Sequence, residues 1–392
     1  MRVCMLLRNT FTRDARVLRE ARSLAAAGHE VTVVALRAGD LPRREERDGF
    51  VVLRPVDAGP LAGPTISRTL ETGSRWRLPR VPAAVWLRDR MLASRLTRAA
   101  RSIQADVYHA HDLNTLEPAV AAARIHEARI VYDAHELWPD LTGLGRGERA
   151  RWRRAEHRLI HEADLVIVPS QSRGEELVRR YGIAMPAVVM NCPPAPNEPP
   201  DPGASRLAAL RRRGETLVVY AGGFSPNRGL ENVVRSIDLV EGLRLVMLGW
   251  GPLEGALRRL ASEKVLFEAP VEPDAVVPTL AGAHIGLVSY LPIGRNNELA
   301  APNKLFEYLH AGLAVAGSDL PDIRRIVEEH SIGELFDASS PDSIAQALSR
   351  MVPLIDQLRS AAAAVRSNYS WETAEKVLLE AYSSLATIPS LE

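Results

Sequence analysis

The strongest constraint on this chain lies between residues 191 and 205, where "NCPPAPNEPPDPGAS" carries six prolines in fifteen positions. Proline fixes φ and has no N–H to donate, so neither a strand nor a long helix survives that density. The stretch therefore reads as a linker. The same pattern runs on both sides of it: a short apolar run, a polar turn, then a helix. Before it, "RVCMLL" leads through "RNTFTRDA" to "RVLREARSLAAAGH", in which Val17, Leu18, Ala21, Leu24 and Ala25 recur at helical spacing and Gly28 marks a stop. "EVTVVAL", "ADVYHAHD", "ARIVYDAHE" and "ADLVIVPS" continue the series as buried strands ending in polar residues. After the linker, "TLVVYAGG", "RLVMLGWG", "VLFEAP", "IGLVSY" and "LAVAGSD" supply five more, and "GELFDASSPDSIAQAL" reads as a short strand or turn before a Ser/Asp-capped helix. Alternation of this kind gives parallel sheets with helices on both faces. The expected organisation is α/β, two doubly wound Rossmann-like domains facing across a cleft, with ligands bound outside the carboxyl ends of the strands.

Composition narrows the function classes. A net charge of +1 over 392 residues predicts no general attraction to nucleic acid or membranes, and the only cysteines, Cys4 and Cys192, form no disulfide framework or metal cluster. No apolar run reaches the roughly 18 residues a membrane span requires, and the first residues are too quickly interrupted to be a secretory signal. A cytoplasmic protein is expected. The excess of arginine over lysine hints at a GC-rich bacterial genome.

The strand ends carry the chemistry. Gly222 and Gly223 open a turn that contains Arg228, and Gly249 opens a second Gly-rich turn that does not fit a dinucleotide fingerprint. In "APNKLFEYLHAG", Pro302 suits a first helical position, Leu305, Phe306 and Leu309 form an apolar face, and Gly312 ends the helix. Asn303, Lys304 and the free N–H groups of that helix start make a ready anion site, and Glu307 is placed to accept hydrogen bonds from vicinal hydroxyls. Lys304 is one of only three lysines in the chain, which marks it as a chosen point charge. Together with Arg228 these features point to a diphosphate. In the first half His111, Asp112 and His135 sit at strand ends as candidates for acid–base or charge chemistry. Spacing shows no third ligand beside the histidines and no Asp-x-Asp pair, so no essential metal and no cofactor are expected.

In order along nearly the whole chain, "AAAGHEVTVVA", "DVYHAHDLNTL", "IVYDAHELWPD", "ADLVIVPSQS", "VVMNCPP", "AGGFSPNRGLE", "LVMLGWGPLEGAL" and "APNKLFEYLHAGLAVAGSDLPDIRRIV" resemble the retaining family 4 glycosyltransferases of the GT-B fold, in a branch with the "NKLFEY" helix. The resemblance implies an acceptor-binding domain over residues 1–192, a linker over 193–205 and a nucleotide-sugar-binding domain over 206–370. Residues 371–392, starting at Trp371, would form a helix crossing back to the first domain. It implies Arg228 on the diphosphate, Glu307 on the ribose, residues 302–305 beside the phosphates and donor sugar, and His135 near the reacting sugar. The implied reaction retains the anomeric configuration by front-face attack, with the leaving diphosphate taking the acceptor's proton. The donor is expected to be a UDP- or GDP-sugar, and the acceptor a small molecule, a glycan or a lipid-linked species of polysaccharide, glycolipid or natural-product assembly.

Three departures qualify the resemblance. The family's Glu, seven residues, Glu pattern puts Leu299 eight before Glu307, with Glu298 one position early; either a one-residue bulge restores its donor contact or the contact is absent. A common arginine five before the basic residue is Gly223 here, and Lys304 is expected to supply the missing charge. The usual Gly-rich loop after the first strand is replaced by "RNTFTRDAR", whose Asn9 and Asp14 would serve the acceptor or donor sugar, Asp14 being equally a helix N-cap. Two other readings remain open: a nucleotide-sugar 2-epimerase of the same fold, and a non-catalytic nucleotide-sugar or glycan-binding module. Residues 68–101 hold nine arginines against two acids, a candidate for peripheral contact with the inner face of the membrane.

Overall fold

Each side of the proline-rich stretch builds one parallel sheet in the computed structural model, which describes residues 1–12, 14–58, 82–196 and 198–387. Among these, residues up to Met190 and from Ala374 onward form one unit, and Asn191–Thr373 form the other.

In the first unit the strands are β1 Arg2–Leu6, β2 Glu30–Arg37, β3 Arg44–Arg47, β4 Phe50–Asp57, β5 Val107–His111, β6 Arg129–Asp133, β7 Leu165–Val168 and β8 Ala187–Val188. Their order is β3-β4-β2-β1-β5-β6-β7-β8, parallel throughout except for the antiparallel β3–β4 pair at one edge. The helices are α1 Ala15–Ala26, α2 Pro82–Arg101, α3 Leu113–His126, α4 Arg146–Leu159 and α5 Gln171–Tyr181. Strands β1 and β5 are buried almost completely, as expected for strands covered on both faces. The chain leaves β1 in one direction along the sheet and returns at β5 in the other, so the crevice beyond their carboxyl ends is the topological switch point.

The second unit has β9 Thr216–Ala221, β10 Leu243–Leu248, β11 Val265–Glu268, β12 Ile285–Val288, β13 Ala314–Ser318 and β14 Gly333–Phe336, in the all-parallel order β11-β10-β9-β12-β13-β14. Its helices are α6 Leu230–Ile237, α7 Glu254–Leu260, α8 Val276–Leu280, α9 Arg295–Glu298, α10 Asn303–His310, α11 Pro321–His330, α12 Pro341–Met351 and α13 Ile355–Val365. Helix α12 starts on a Ser340 cap that accepts the Ser343 N–H at 3.2 Å. The switch point lies between β9 and β12. There Tyr308 of α10 fastens the two strands together: its hydroxyl accepts the Ala221 N–H at 2.9 Å and donates to the Leu287 carbonyl at 3.2 Å. The ring lies flat on β12 because residue 286 is glycine; a Cβ there would overlap it.

The tail helix, α14 Trp371–Thr387, follows a break at Arg366–Tyr369 and belongs to the first unit from Ala374 onward. No described helix is long and apolar enough to cross a membrane. Of the arginine-rich segment 68–101, residues 68–81, with Trp76, lie outside the described residues, and the remainder is α2.

Candidate functional site

In the first unit the functional side chains gather around Asp133, the last residue of β6. Helix α1 is amphipathic, yet its buried face carries Arg16 and Glu20 beside Val17, Ala21 and Leu24. Arg16 grips Asp133 with two hydrogen bonds, Nε to Oδ2 at 2.9 Å and Nη2 to Oδ1 at 2.8 Å, and donates a third to the Val189 carbonyl at 2.7 Å. Its Nε also lies 3.0 Å from Glu20 Oε1. On the other side of the same carboxylate, His135 Nε2 lies 2.8 Å from Oδ2 and His111 Nδ1 lies 3.4 Å from it. The tautomer that satisfies the carboxylate has both rings directing an N–H at it. Behind them His109 stacks on His111 with centroids 4.2 Å apart, and its Nδ1 meets the Tyr382 hydroxyl of the tail helix at 2.7 Å.

Charge in this cluster follows from burial and neighbours. Burial alone would raise Asp133, but Arg16, His135 and the imidazole hydrogen bonds outweigh it and hold the carboxyl well below the usual range. Burial likewise opposes a charged His135, but Asp133 and Asp112 prevail and raise its pKa to about 10, so the ring is an imidazolium at neutral pH. His135 also keeps a fifth of its side chain open to solvent. Glu20 is pushed up to about 8 by burial and then by Asp133. His109 and His111 are held neutral, chiefly by burial. Asp112, raised to about 6 mainly by burial, accepts the His135 backbone N–H at 3.1 Å from a backbone with φ of 66°. Such a φ is uncommon outside glycine and is held here by the α3 start and by the Asp112 N–H bond to the Asp133 carbonyl.

Sequence spacing offered no third metal ligand, but the fold brings Glu20, His109, His111 and Asp133 within 4.8 Å of one another. The donor types would suit a transition metal. The charge does not: Arg16 already neutralises Asp133, and His135 adds a second cation. What the cluster presents outward is one fixed positive ring, His135. Asn9 and Asp14 take a local role. Asn9 Nδ2 donates to Asp14 Oδ2 at 2.9 Å, and Asp14 caps α1 by accepting the Val17 N–H.

In the second unit the β9 end, the turn after it and the α10 start meet at the switch point. Lys304 is buried, with its Nζ 3.8 Å from the Tyr220 ring centroid and 5.8 Å from that of Tyr290. Arg228 stacks on the other ring, its guanidinium carbon 3.8 Å from the Tyr290 centroid. Burial, then the Arg228 charge, pushes the Lys304 pKa well below the usual lysine value, with Glu307 acting the other way. Gly222 has φ of 131°, and a Cβ on it would lie 3.2 Å from Lys304 Nζ. Glycine therefore both makes the turn and leaves room for the ammonium. Gly249 packs directly against the Gly222 carbonyl, and the Gly223 carbonyl accepts from the Tyr220 hydroxyl at 3.0 Å.

Helix α10 begins one residue later than the sequence suggests. Pro302 is its extended N-cap, with ψ of 119°, and its carbonyl accepts the Leu305 N–H at 3.1 Å. Leu305 is core, Asn303 is exposed and Glu307 is half-buried. Glu298 ends the short helix α9 and lies 3.2 Å from Arg295, while Leu299 is buried. Sequence reading had passed over Arg16, Glu20, Asp133, His109 and Tyr382, together with the two tyrosines that back the cations. A signal existed only for the first pair, since Arg16 and Glu20 are spaced i, i+4 on the apolar face of α1.

Comparison with known proteins accords with this architecture. Residues 15–193 match the family described as Glycosyltransferase Family 4, and residues 215–353 match Glycosyl transferases group 1. The chain is 23% identical over 400 residues to a phosphatidyl-myo-inositol mannosyltransferase of Mycobacterium leprae, covering 95% of this chain and 93% of that one. Among solved structures, a sucrose-phosphate synthase from Thermosynechococcus elongatus superposes with a TM-score of 0.78 at 16% identity, covering 98% and 99% of the two chains. Anabaena HepE in complex with UDP-glucose gives 0.69 at 15% identity, covering 98% and 100%. Two consecutive family matches on two doubly wound sheets make this chain a glycosyltransferase of family 4, with the GT-B fold.

Proposed function

We propose that the protein transfers a sugar, with retention of configuration, from a nucleotide-diphosphate donor bound by the second unit to an acceptor hydroxyl bound by the first. The observation that carries this reading is the pair of tyrosine-backed basic side chains, Arg228 and Lys304, beside the α10 N-terminus at the β9/β12 switch point. Two cations with free helix N–H groups beside them suit a diphosphate. Glu307, one turn into α10, takes the ribose hydroxyls in this reading. The bond from the sugar anomeric carbon to the diphosphate breaks, and the acceptor oxygen forms the new bond on the same face. Its proton passes to the departing diphosphate. The protein contributes positioning and fixed charge, with the His135 imidazolium as a hydrogen-bond donor to the reacting sugar. Arginine and lysine neutralise the diphosphate, so no divalent ion is required. A UDP-sugar donor is favoured by the HepE complex with UDP-glucose.

The test is a thermal-shift panel of UDP, GDP, ADP and dTDP, each with and without magnesium, on the wild type and Lys304→Ala. One diphosphate should raise the melting temperature by mass action. Loss of a charge-assisted contact worth about 1.5–3 kcal/mol should weaken its binding to the variant by about ten- to a hundredfold. No stabilisation by any of the four would overturn the proposed diphosphate-donor site.

A further inference from the structure

Lys304 occupies an unusual place for a cation. Its Nζ is buried between the Tyr220 ring face and the Gly222 turn, and Arg228 shares the neighbouring Tyr290 ring with it. The titratable and charged groups facing it are Tyr220 on β9, Arg228 on the following turn, Tyr290 after β12 and Glu307 on its own helix. Among the described residues none gives Lys304 an ion pair within 4 Å, and Glu307 acts on it only from farther away. An ammonium taken out of water needs an anion, and a ring face offsets only part of that loss. With a guanidinium next to it, the empty pocket favours the neutral amine.

Resting on the diphosphate site proposed above, we infer that Lys304 is uncharged in the empty protein and takes up a proton when the donor's diphosphate enters. The arriving negative charge supplies the missing partner, so the amine becomes an ammonium while the ligand is bound and gives the proton back when the diphosphate leaves. The pocket then never has to hold a buried, unpaired ammonium beside the half-buried Arg228 guanidinium. Lys304 is here a binding residue whose charge is switched by its ligand. A consequence is that donor affinity falls as pH rises, because the proton that binding consumes becomes scarcer. An arginine in the same place would remain charged throughout and show no such dependence.

Isothermal titration calorimetry tests this with UDP, or whichever of the four diphosphates binds, near pH 8 in Tris and in Hepes. The ligand's own phosphates are ionised there, as an unperturbed lysine would be protonated. The wild type should take up about one proton per diphosphate, seen as a dependence of the binding heat on buffer ionisation enthalpy, and its Kd should rise about tenfold per pH unit above that point. Lys304→Arg and Lys304→Met should both show much smaller uptake and a flatter Kd. Binding by the wild type with no proton uptake, or with the same uptake as both variants, overturns the inference and leaves the diphosphate site standing. Absence of any binding heat overturns both.

Discussion

His135 and Lys304 show how the same physical forces, burial and nearby charge, shift two titrations in opposite directions. His135 has two carboxylates beside it, which outweigh its burial and raise its pKa to about 10. Lys304 has a guanidinium beside it, which adds to its burial and lowers its pKa. The histidine carries a testable sign. Its folded pKa lies above the unfolded value of about 6.5, so its stabilising contribution is full below that pH and is lost as pH rises toward 10. Denaturant midpoints measured across that range should therefore converge for the wild type and His135→Gln as pH rises. A difference that stays constant with pH would show that the ring is not held as an imidazolium.

At the scale of elements, α1 and α10 are placed by polar contacts that a hydropathy pattern does not weigh. Tyr308 anchors α10 by bridging β9 and β12, which sets its N-terminus beside Gly222. Arg16 anchors α1 to β6 and to the chain leaving β8. Truncating one partner of a buried pair leaves the other charge uncompensated, so Arg16→Met should cost about 3–5 kcal/mol in urea denaturation. Adding Asp133→Asn should restore part of that loss, because the stranded charge is then removed too. Additive losses in the double variant would argue against a coupled pair. Even so, the elements themselves were legible in advance. Alternating apolar runs and helical spacing pointed to two parallel α/β sheets, because strands covered on both faces must be continuously apolar. The start of α10 was misplaced by one residue, since proline suits both an N-cap and a first helical turn.

Over the whole molecule, the tail helix returns the end of the chain to the first unit, where Tyr382 reaches His109 behind the histidine cluster. Losing that hydroxyl should weaken the attachment by about 1 kcal/mol. Tyr382→Phe should accordingly speed amide hydrogen exchange across residues 374–385, with exchange in β9–β14 unchanged. Uniform acceleration in both units, or none in the tail, would contradict this attachment.

Apolar periodicity, glycine turns and motif order are local properties, so the two α/β halves, the family resemblance and the placing of Arg228, Lys304, His111, Asp112 and His135 near strand ends were legible in the residues alone. Their electrostatic surroundings came only with folding. Asp133, held ionised by Arg16 from far along the chain, joins Asp112 in raising the His135 pKa, while burial and Arg228, distant in sequence, lower that of Lys304. A pKa is set by distance and desolvation, and both exist only once the chain has folded.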